Sequence, residues 1–289
     1  MLIPYAKMTT RAALVPAIAL ALLFFAPRAL AQMPGTVENG GGISNQTAMG
    51  VSGGMTDQLQ YGTLGHGVER EQYDAYQKFL KATQPDKKIK LGNEFLKRFP
   101  KSPFDEPVDV GLMTVYMAQK EWNDSYRSGD DALALDPDDV DVLAPVSWTI
   151  PHVYDPKAPD AAEQLSKAEK YAKHALEVMA TMHKPPHMND AEFSNAKTRR
   201  SFQAHSALGL VYFRRQQYAD SAKETAQAVD GNPAPDATDL FVLGADLHYL
   251  NRHAESEQAF AHCAQIAGPL ESQCAGNAKA EKVQENAAN

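Results

Sequence analysis

Two short segments of the chain carry residue types that could bind a metal ion. His183-Lys184-Pro185-Pro186-His187 places two histidines in one loop, and residues 136–141 contain four aspartates. A stable metal site needs three or four ligands in compatible geometry, and no cysteine or carboxylate stands at a persuasive spacing from the histidines. The aspartate segment lacks the central glycine and the closing glutamate of a calcium-binding loop. It favours a helix stop followed by the acidic start of the next helix, so the sequence predicts no metal site and no cofactor.

Motifs of catalysis are also missing from the sequence. There is no Gly-x-Ser-x-Gly, no phosphate-binding loop and no dinucleotide fingerprint. We therefore expect no catalytic residue and no enzymatic activity. An enzyme or metal carrier that uses the histidine-rich insertions is kept as an alternative.

The two cysteines, Cys263 and Cys274, are the remaining reactive side chains. Gly268-Pro269-Leu270 between them is expected to turn the chain back, so that a final helix from about 271 to 286 covers the preceding hairpin. This geometry allows a disulfide, which persists in an oxidising compartment. Two separate thiols are the alternative, and the sequence does not decide between them.

The elements that must position these residues repeat along the chain in fixed register. Seven positions recur at an offset of 35 residues, and an upstream copy matches the first at an offset of 96. Such periods are typical of stacked helical repeats. The structural positions of the pattern are Leu112, Tyr116, Ala132 and Pro137; Leu208, Gly209, Tyr212, Ala228 and Pro233; and Leu243, Gly244 and Cys263.

Each repeated position has a physical role in a helical hairpin. Leu208 and Tyr212 lie four apart on one face of a first helix, and Gly209 lets a second helix approach closely. Small Ser221 is expected to complete that contact, and Pro233 is expected to end the second helix. One such hairpin cannot bury its apolar face alone, so the units must stack.

The pattern Leu208-Gly209-x-x-Tyr212…Tyr218…Ala228…Pro233 resembles the tetratricopeptide repeat (TPR) family, of an exported bacterial type. The resemblance implies an all-α fold, a right-handed superhelical solenoid of stacked helix-turn-helix hairpins with a C-terminal capping helix. We expect hairpins at about 69–101, 106–139, 140–180, 202–235 and 237–270. Two insertions of unknown role interrupt the pattern at 151–160 and 181–200. Pro151 is expected to interrupt the first helix of its hairpin, and the second insertion is expected to have its own short helix from Asp190 to about Arg199.

The ends of the chain differ from the repeats. Residues 1–31 carry Lys7 and Arg11, the apolar run 12–26 and Ala29-Leu30-Ala31, which is typical of a secretory signal cleaved after Ala31. An uncleaved anchor is the alternative, but the run is shorter than the roughly 20 residues of a spanning helix. Residues 32–67 are glycine-rich and predict a flexible leader, and the solenoid occupies 68–289. The sequence therefore predicts a periplasmic or secreted protein with no transmembrane segment after cleavage.

The charge of the chain bears on its partners. The net charge is −8, and the predicted signal contains three basic residues and no acidic one, so its removal makes the chain more acidic. Nucleic acid is excluded as a partner, because a protein needs a concentrated basic surface to bind its phosphates. We expect instead a protein or peptide ligand.

The TPR resemblance implies that first-helix residues line a concave groove for this ligand. Such a groove predicts a non-catalytic scaffold or adaptor of the periplasm or cell envelope. A structural component of outer-membrane assembly or secretion machinery is the alternative, favoured by the phrase Phe95-Leu96-Lys97-Arg98-Phe99-Pro100. The carboxylate-clamping residues of chaperone-binding members are not evident, and Trp148 and Phe213 are equally compatible with the core between repeats. The predicted groove residues are Met117, Trp148, His152, Leu210, Phe213, Arg214, Phe241, His248 and Tyr249.

Overall fold

The computed structural model describes residues 70–186 and 188–288. The predicted signal, its cleavage site, the leader and His187 lie outside the described residues. Within them the chain forms eleven α-helices and no strand. None of these helices has the length and apolarity needed to cross a bilayer.

The helices follow one another as hairpins. Their bounds are α1 Arg70–Leu80, α2 Pro85–Arg98, α3 Asp105–Gln119, α4 Trp122–Leu135, α5 Val140–His152, α6 Ala161–Thr181, α7 Asp190–Arg214, α8 Tyr218–Val229, α9 Ala237–Tyr249, α10 His253–Cys263 and α11 Glu271–Ala288. Each helix packs on the next one in the chain, and α7 also packs on α5 and α9. The predicted all-α solenoid of stacked TPR-like hairpins with a capping helix is confirmed.

The three hairpins that carry the sequence pattern each contain the same kind of side-chain hydrogen bond. A serine hydroxyl of the second helix donates to the first-helix carbonyl twelve residues earlier. The bonds are Ser125 to Met113 (3.1 Å), Ser221 to Gly209 (2.9 Å) and Ser256 to Gly244 (2.7 Å). Because this bond recurs at the same register, the two helices of each of the three hairpins are held together in the same way.

The turns inside these hairpins repeat as well. Lys120, Gln216 and Asn251 have φ of 62°, 61° and 58°, and they stand at the same offsets as the repeats. The next residue donates its N–H to a carbonyl five residues earlier, which is the hydrogen bond of a Schellman cap. These bonds are Glu121 to Tyr116 (2.9 Å), Gln217 to Tyr212 (2.9 Å) and Arg252 to Leu247 (2.8 Å).

Close packing at Gly209 explains the glycine of the pattern. A Cβ at this position would lie 2.2 Å from the Thr225 hydroxyl oxygen and 3.2 Å from the Thr225 backbone nitrogen. The first and second helices of this hairpin therefore approach through a residue without a side chain. The leucine, tyrosine and alanine positions of the pattern and Cys263 are buried or half-buried, whereas Pro137 and Pro233 are exposed.

Asp246 of α9 joins this contact from the next hairpin. Its carboxyl oxygen lies 2.5 Å from the Ser221 hydroxyl, which has one hydrogen and already faces the Gly209 carbonyl. Burial raises the pKa of Asp246 to about 8. The carboxyl is therefore protonated at neutral pH, and it donates to Ser221 while Ser221 donates to Gly209.

The structure differs from the sequence prediction at three helix ends. The predicted short helix at 190–199 is wrong, because α7 runs without a break from Asp190 to Arg214, starting at an Asn189–Glu192 capping box. Helix α8 ends at Val229, before Pro233, since Gly231 takes up a left-handed φ of 74°. Pro151 does not interrupt α5, which includes it and ends one residue later.

Candidate partner-binding surface

Most of the predicted groove residues lie near the C-terminal ends of the first helices. Met117 is in the last turn of α3, and the Thr149 hydroxyl of α5 lies 3.6 Å from its sulfur. The next members lie at the ends of α5, α7 and α9. The ends of successive first helices thus carry one series of side chains along the stack.

Two predicted members lie elsewhere. Leu210 and Phe241 are each 2% exposed, and Phe241 packs edge-on against Phe260 at a centroid distance of 5.5 Å. They are core residues between helices, so they offer no side-chain area to a partner. The prediction that they line an open groove does not match their burial.

The ends of α5 and α7 bring Trp148, His152 and Arg214 into one cluster, which we call the Arg214 cluster together with Tyr154. The Trp148 and His152 rings are 4.0 Å apart between centroids. The guanidinium of Arg214 lies over the Tyr154 ring at 5.4 Å, and its Nη2 donates to the Pro151 carbonyl at 3.5 Å. Three residues predicted from the sequence therefore meet at one place.

His152 is buried in a defined tautomer. Its Nδ1 lies 2.7 Å from the Trp148 carbonyl, and since a carbonyl only accepts, Nδ1 carries the hydrogen. Burial lowers the pKa of His152, against an opposing effect of Asp236. The neutral ring leaves Nε2 as a buried acceptor without a partner among the described residues.

Arg214 has the opposite character, because it is a half-buried cation. Burial lowers the pKa of its guanidinium, although not enough to discharge an arginine. Its Nε has no hydrogen-bond partner among the described residues. The bond to the Pro151 carbonyl is long, so the guanidinium is only weakly paired within the described residues.

A row of aromatic rings continues from the end of α7 to the end of α9. Phe213 meets Tyr218 at 6.1 Å, and Tyr218 stacks on Tyr249 at 4.2 Å with planes 17° apart. Tyr249 is 39% exposed and contacts the His248 ring at 5.5 Å. Tyr218, absent from the predicted groove, links the members that were predicted.

His248 also belongs to a cluster that sequence reasoning missed. Its Nδ1 lies 2.7 Å from one carboxylate oxygen of Glu281, and Nδ1 of His253 lies 2.8 Å from the other. Glu281 comes from the capping helix α11 and is fully buried. No fixed spacing in the sequence links a residue of this helix to the two histidines.

The structure also places the histidine, aspartate and cysteine candidates that the sequence suggested for metal binding or a disulfide. His183 is exposed, while the Asp139 carboxylate accepts from the Asp141 N–H and caps α5, as the helix-start interpretation predicts. Cys263 and Cys274 are joined in a disulfide with Cα atoms 5.7 Å apart. The bridge fastens the start of α11 to the end of α10.

Comparison with known proteins gives only distant likenesses. No protein-family model and no curated protein matches the chain. A thermophilic TPR protein of Thermus thermophilus is similar over 73% of this chain and 99% of its own, with 14% identity and a TM-score of 0.43. PilW, a widely conserved type IV pilus biogenesis factor, is similar over 76% of this chain and 92% of its own, with 12% identity and a TM-score of 0.47.

Proposed function

We propose that this chain is a non-catalytic scaffold of the bacterial periplasm or cell envelope that binds a partner protein along the first-helix ends. The observation that carries the proposal is the Arg214 cluster, where a half-buried guanidinium with an unpartnered Nε lies beside aromatic rings. A buried charge is unfavourable unless it is paired. A partner that supplies the pair would therefore bind there.

The chemistry of the cluster indicates an extended acidic segment as the ligand. A carboxylate can accept from the half-buried guanidinium of Arg214. Trp148, Tyr154 and the exposed Tyr249 provide aromatic area of the kind that anchors interfaces. A cation beside aromatic area matches a peptide chain with a carboxylate side chain or terminus.

An affinity capture from cell-envelope extract tests this surface. The chain with Arg214→Met keeps the long apolar stem but loses the charge, and it is expected to capture the partner poorly. Losing a charged hydrogen bond of about 1.5–3 kcal/mol weakens binding roughly 10- to 150-fold. Arg215→Met is the matched control, since Arg215 is the adjacent arginine and pairs instead with Glu169 of α6.

The outcomes separate the surface from a general effect on folding. All three variants, Arg214→Met, Arg215→Met and Trp148→Ala, are first checked for an unchanged thermal midpoint by circular dichroism. Capture lost with Arg214→Met and Trp148→Ala, and kept with Arg215→Met, supports the proposal. Equal capture by Arg214→Met and the unchanged chain would place the partner elsewhere.

The cellular location is proposed from two independent features. Residues 1–31 have the composition of a secretory signal, and a disulfide such as Cys263–Cys274 persists in an oxidising compartment. Mass spectrometry of the protein from its host should find Gln32 as the first residue, in the periplasmic or secreted fraction. An intact Met1 start in the cytoplasmic fraction would contradict export.

The alternative, a component of outer-membrane assembly or secretion machinery, depended on the phrase at residues 95–100. Phe95 and Phe99 are buried in the core of the first hairpin, and Arg98 pairs with Glu71 of α1. Packing accounts for these residues, so the phrase adds no exposed apolar surface for such machinery. Co-purification with an outer-membrane complex would restore this alternative.

A further inference from the structure

Three side chains from three helices meet where the last hairpin contacts the capping helix. They are His248 at the end of α9, His253 at the start of α10 and Glu281 within α11. One nitrogen of each histidine and a carboxylate oxygen all lie within 4.8 Å of one another. We call these residues the His-Glu-His cluster.

The carboxylate of this cluster is buried without a permanent cation. Glu281 is 0% exposed, and its ion-pair partners among the described residues are the two imidazoles alone. Removing a carboxylate from water is costly unless a positive charge compensates. A divalent cation held by the two imidazoles and the carboxylate would supply that charge.

The donor set fits a zinc-type ion. Two histidine nitrogens and one carboxylate are a recurrent three-ligand set for Zn²⁺, with a fourth position left for water or another donor. Tetrahedral ligands at about 2.0–2.1 Å from zinc lie about 3.4 Å apart. The present 2.7 and 2.8 Å contacts would need to widen by less than about 1 Å, which side-chain rotation can supply.

The position of the cluster is compatible with entry of an ion from solvent. The side chains of His248 and His253 are 23% and 20% exposed, while Glu281 lies beneath them. The aromatic ring of Tyr249 stands next to His248 at the surface. An ion therefore reaches the histidines first and the carboxylate behind them.

We propose that His248, His253 and Glu281 form a binding site for one divalent zinc-type cation that fastens the capping helix to the last hairpin. Along α11, Glu281 lies about 10 Å beyond Cys274. The ion would be a second fastening of this helix after the disulfide. His248 also belongs to the predicted groove, but the test uses the metal alone, so its outcome does not depend on the proposed partner.

Titration of the purified, metal-stripped chain with ZnCl₂ near neutral pH tests the site. Calorimetry should show one saturable site per chain, and the thermal midpoint should rise with Zn²⁺ and return after addition of EDTA. Since imidazole must be neutral to bind, the affinity should fall as the solution is made acidic. Absence of a saturable site of unit stoichiometry would overturn the proposal.

Variants separate metal ligation from a hydrogen-bonded cluster. Glu281→Gln and His253→Ala should each weaken Zn²⁺ binding by at least about 10- to 100-fold. His262→Ala is the matched control, since His262 lies on the same helix α10 but is exposed and outside the cluster. Binding by Glu281→Gln equal to that of the unchanged chain would show that the three residues only hydrogen-bond.

A spectroscopic measurement on the unchanged chain tests the site without relying on variants that could fail to fold. Co²⁺ added to the unchanged chain should give the visible absorption of a tetrahedral or five-coordinate site, and Zn²⁺ should displace it. A spectrum identical to that of hexaaqua Co²⁺ would overturn the proposal without any variant.

Discussion

Replacement of Gly209 by alanine should destabilise the chain, although alanine is the better helix former. The new methyl group would lie 2.2 Å from the Thr225 hydroxyl oxygen. Rotation of Thr225 does not remove the conflict, because its Cβ and its backbone nitrogen are both 3.2 Å from the new atom. The clash therefore has to be relieved by separating α7 from α8.

Two opposing effects set the size of the change. Replacing glycine within a helix gains about 0.8–1 kcal/mol, whereas overpacking of a tight core typically costs about 1–3 kcal/mol. The contact here is closer than any ordinary one, and separation would also lengthen the Ser221 bond to the Gly209 carbonyl. We expect a net loss of about 1–2 kcal/mol in the free energy of unfolding.

Gly276→Ala is the matched control for this prediction. Gly276 lies within helix α11, and a Cβ there would meet nothing within 4 Å. The same substitution should therefore stabilise by up to about 1 kcal/mol. Adding Thr225→Ala to Gly209→Ala should recover part of the loss, since it removes the clashing hydroxyl.

Urea denaturation followed by circular dichroism, with the disulfide intact, measures all four proteins. Because stacked repeats can unfold in more than one step, shifts are compared at the transition that includes α7 and α8. If Gly209→Ala stabilises the chain as much as Gly276→Ala does, the close approach of α7 and α8 is refuted.

Two further predictions concern the disulfide and a buried acid. Reduction of Cys263–Cys274, or Cys274→Ser, should cost about 3 kcal/mol on the chain-entropy model for a loop this short; an unchanged urea midpoint under reducing conditions would count against a stabilising role. The pKa of Asp246 is about 8 in the folded chain and about 3.9 when unfolded, so the native state binds the extra proton and stability should decline as pH rises from about 4 to 8. Asp246→Asn should flatten that decline, and unfolding curves that fall equally steeply for both proteins would contradict the protonated carboxyl.

The repeat register was the part of the fold that the sequence predicted best. The offset of 35 residues that relates Leu208 to Leu243 also relates the turn residues Gln216 and Asn251, which share a left-handed φ. Large and small side chains at fixed spacing indicate how the two helices of one hairpin pack, and each copy of the pattern repeats that packing. The close contact of Gly209 with the second helix follows from the same pattern.

Helix ends were harder to predict because proline alone does not set them. Pro151 lies in the last turn of α5, where the loss of one donor matters little, whereas Gly231 ends α8 before Pro233. The long helix α7 was divided in the prediction at the start of the repeat pattern. Residues 190–201 lack glycine and proline, so local chemistry gives no reason for a break there.

The candidate surface was predicted only in part, because helical periodicity does not tell open faces from covered ones. Trp148, His152 and Arg214 were named from the repeat pattern and do meet. Leu210 and Phe241 follow the same periodicity but are covered by neighbouring helices. Glu281 could not be found, since its approach to the histidines depends on how the capping helix docks.

Helix α7 gives the middle of the array a different behaviour from its ends. In a stack of separate hairpins, units can peel away one at a time while the rest stays folded. At 25 residues, α7 is longer than one hairpin needs, and it touches both helices of the preceding unit as well as α8 and α9. Unfolding of α7 would expose faces of four other helices to water at the same time. The hairpins at the centre of the chain should therefore unfold together, as one cooperative unit.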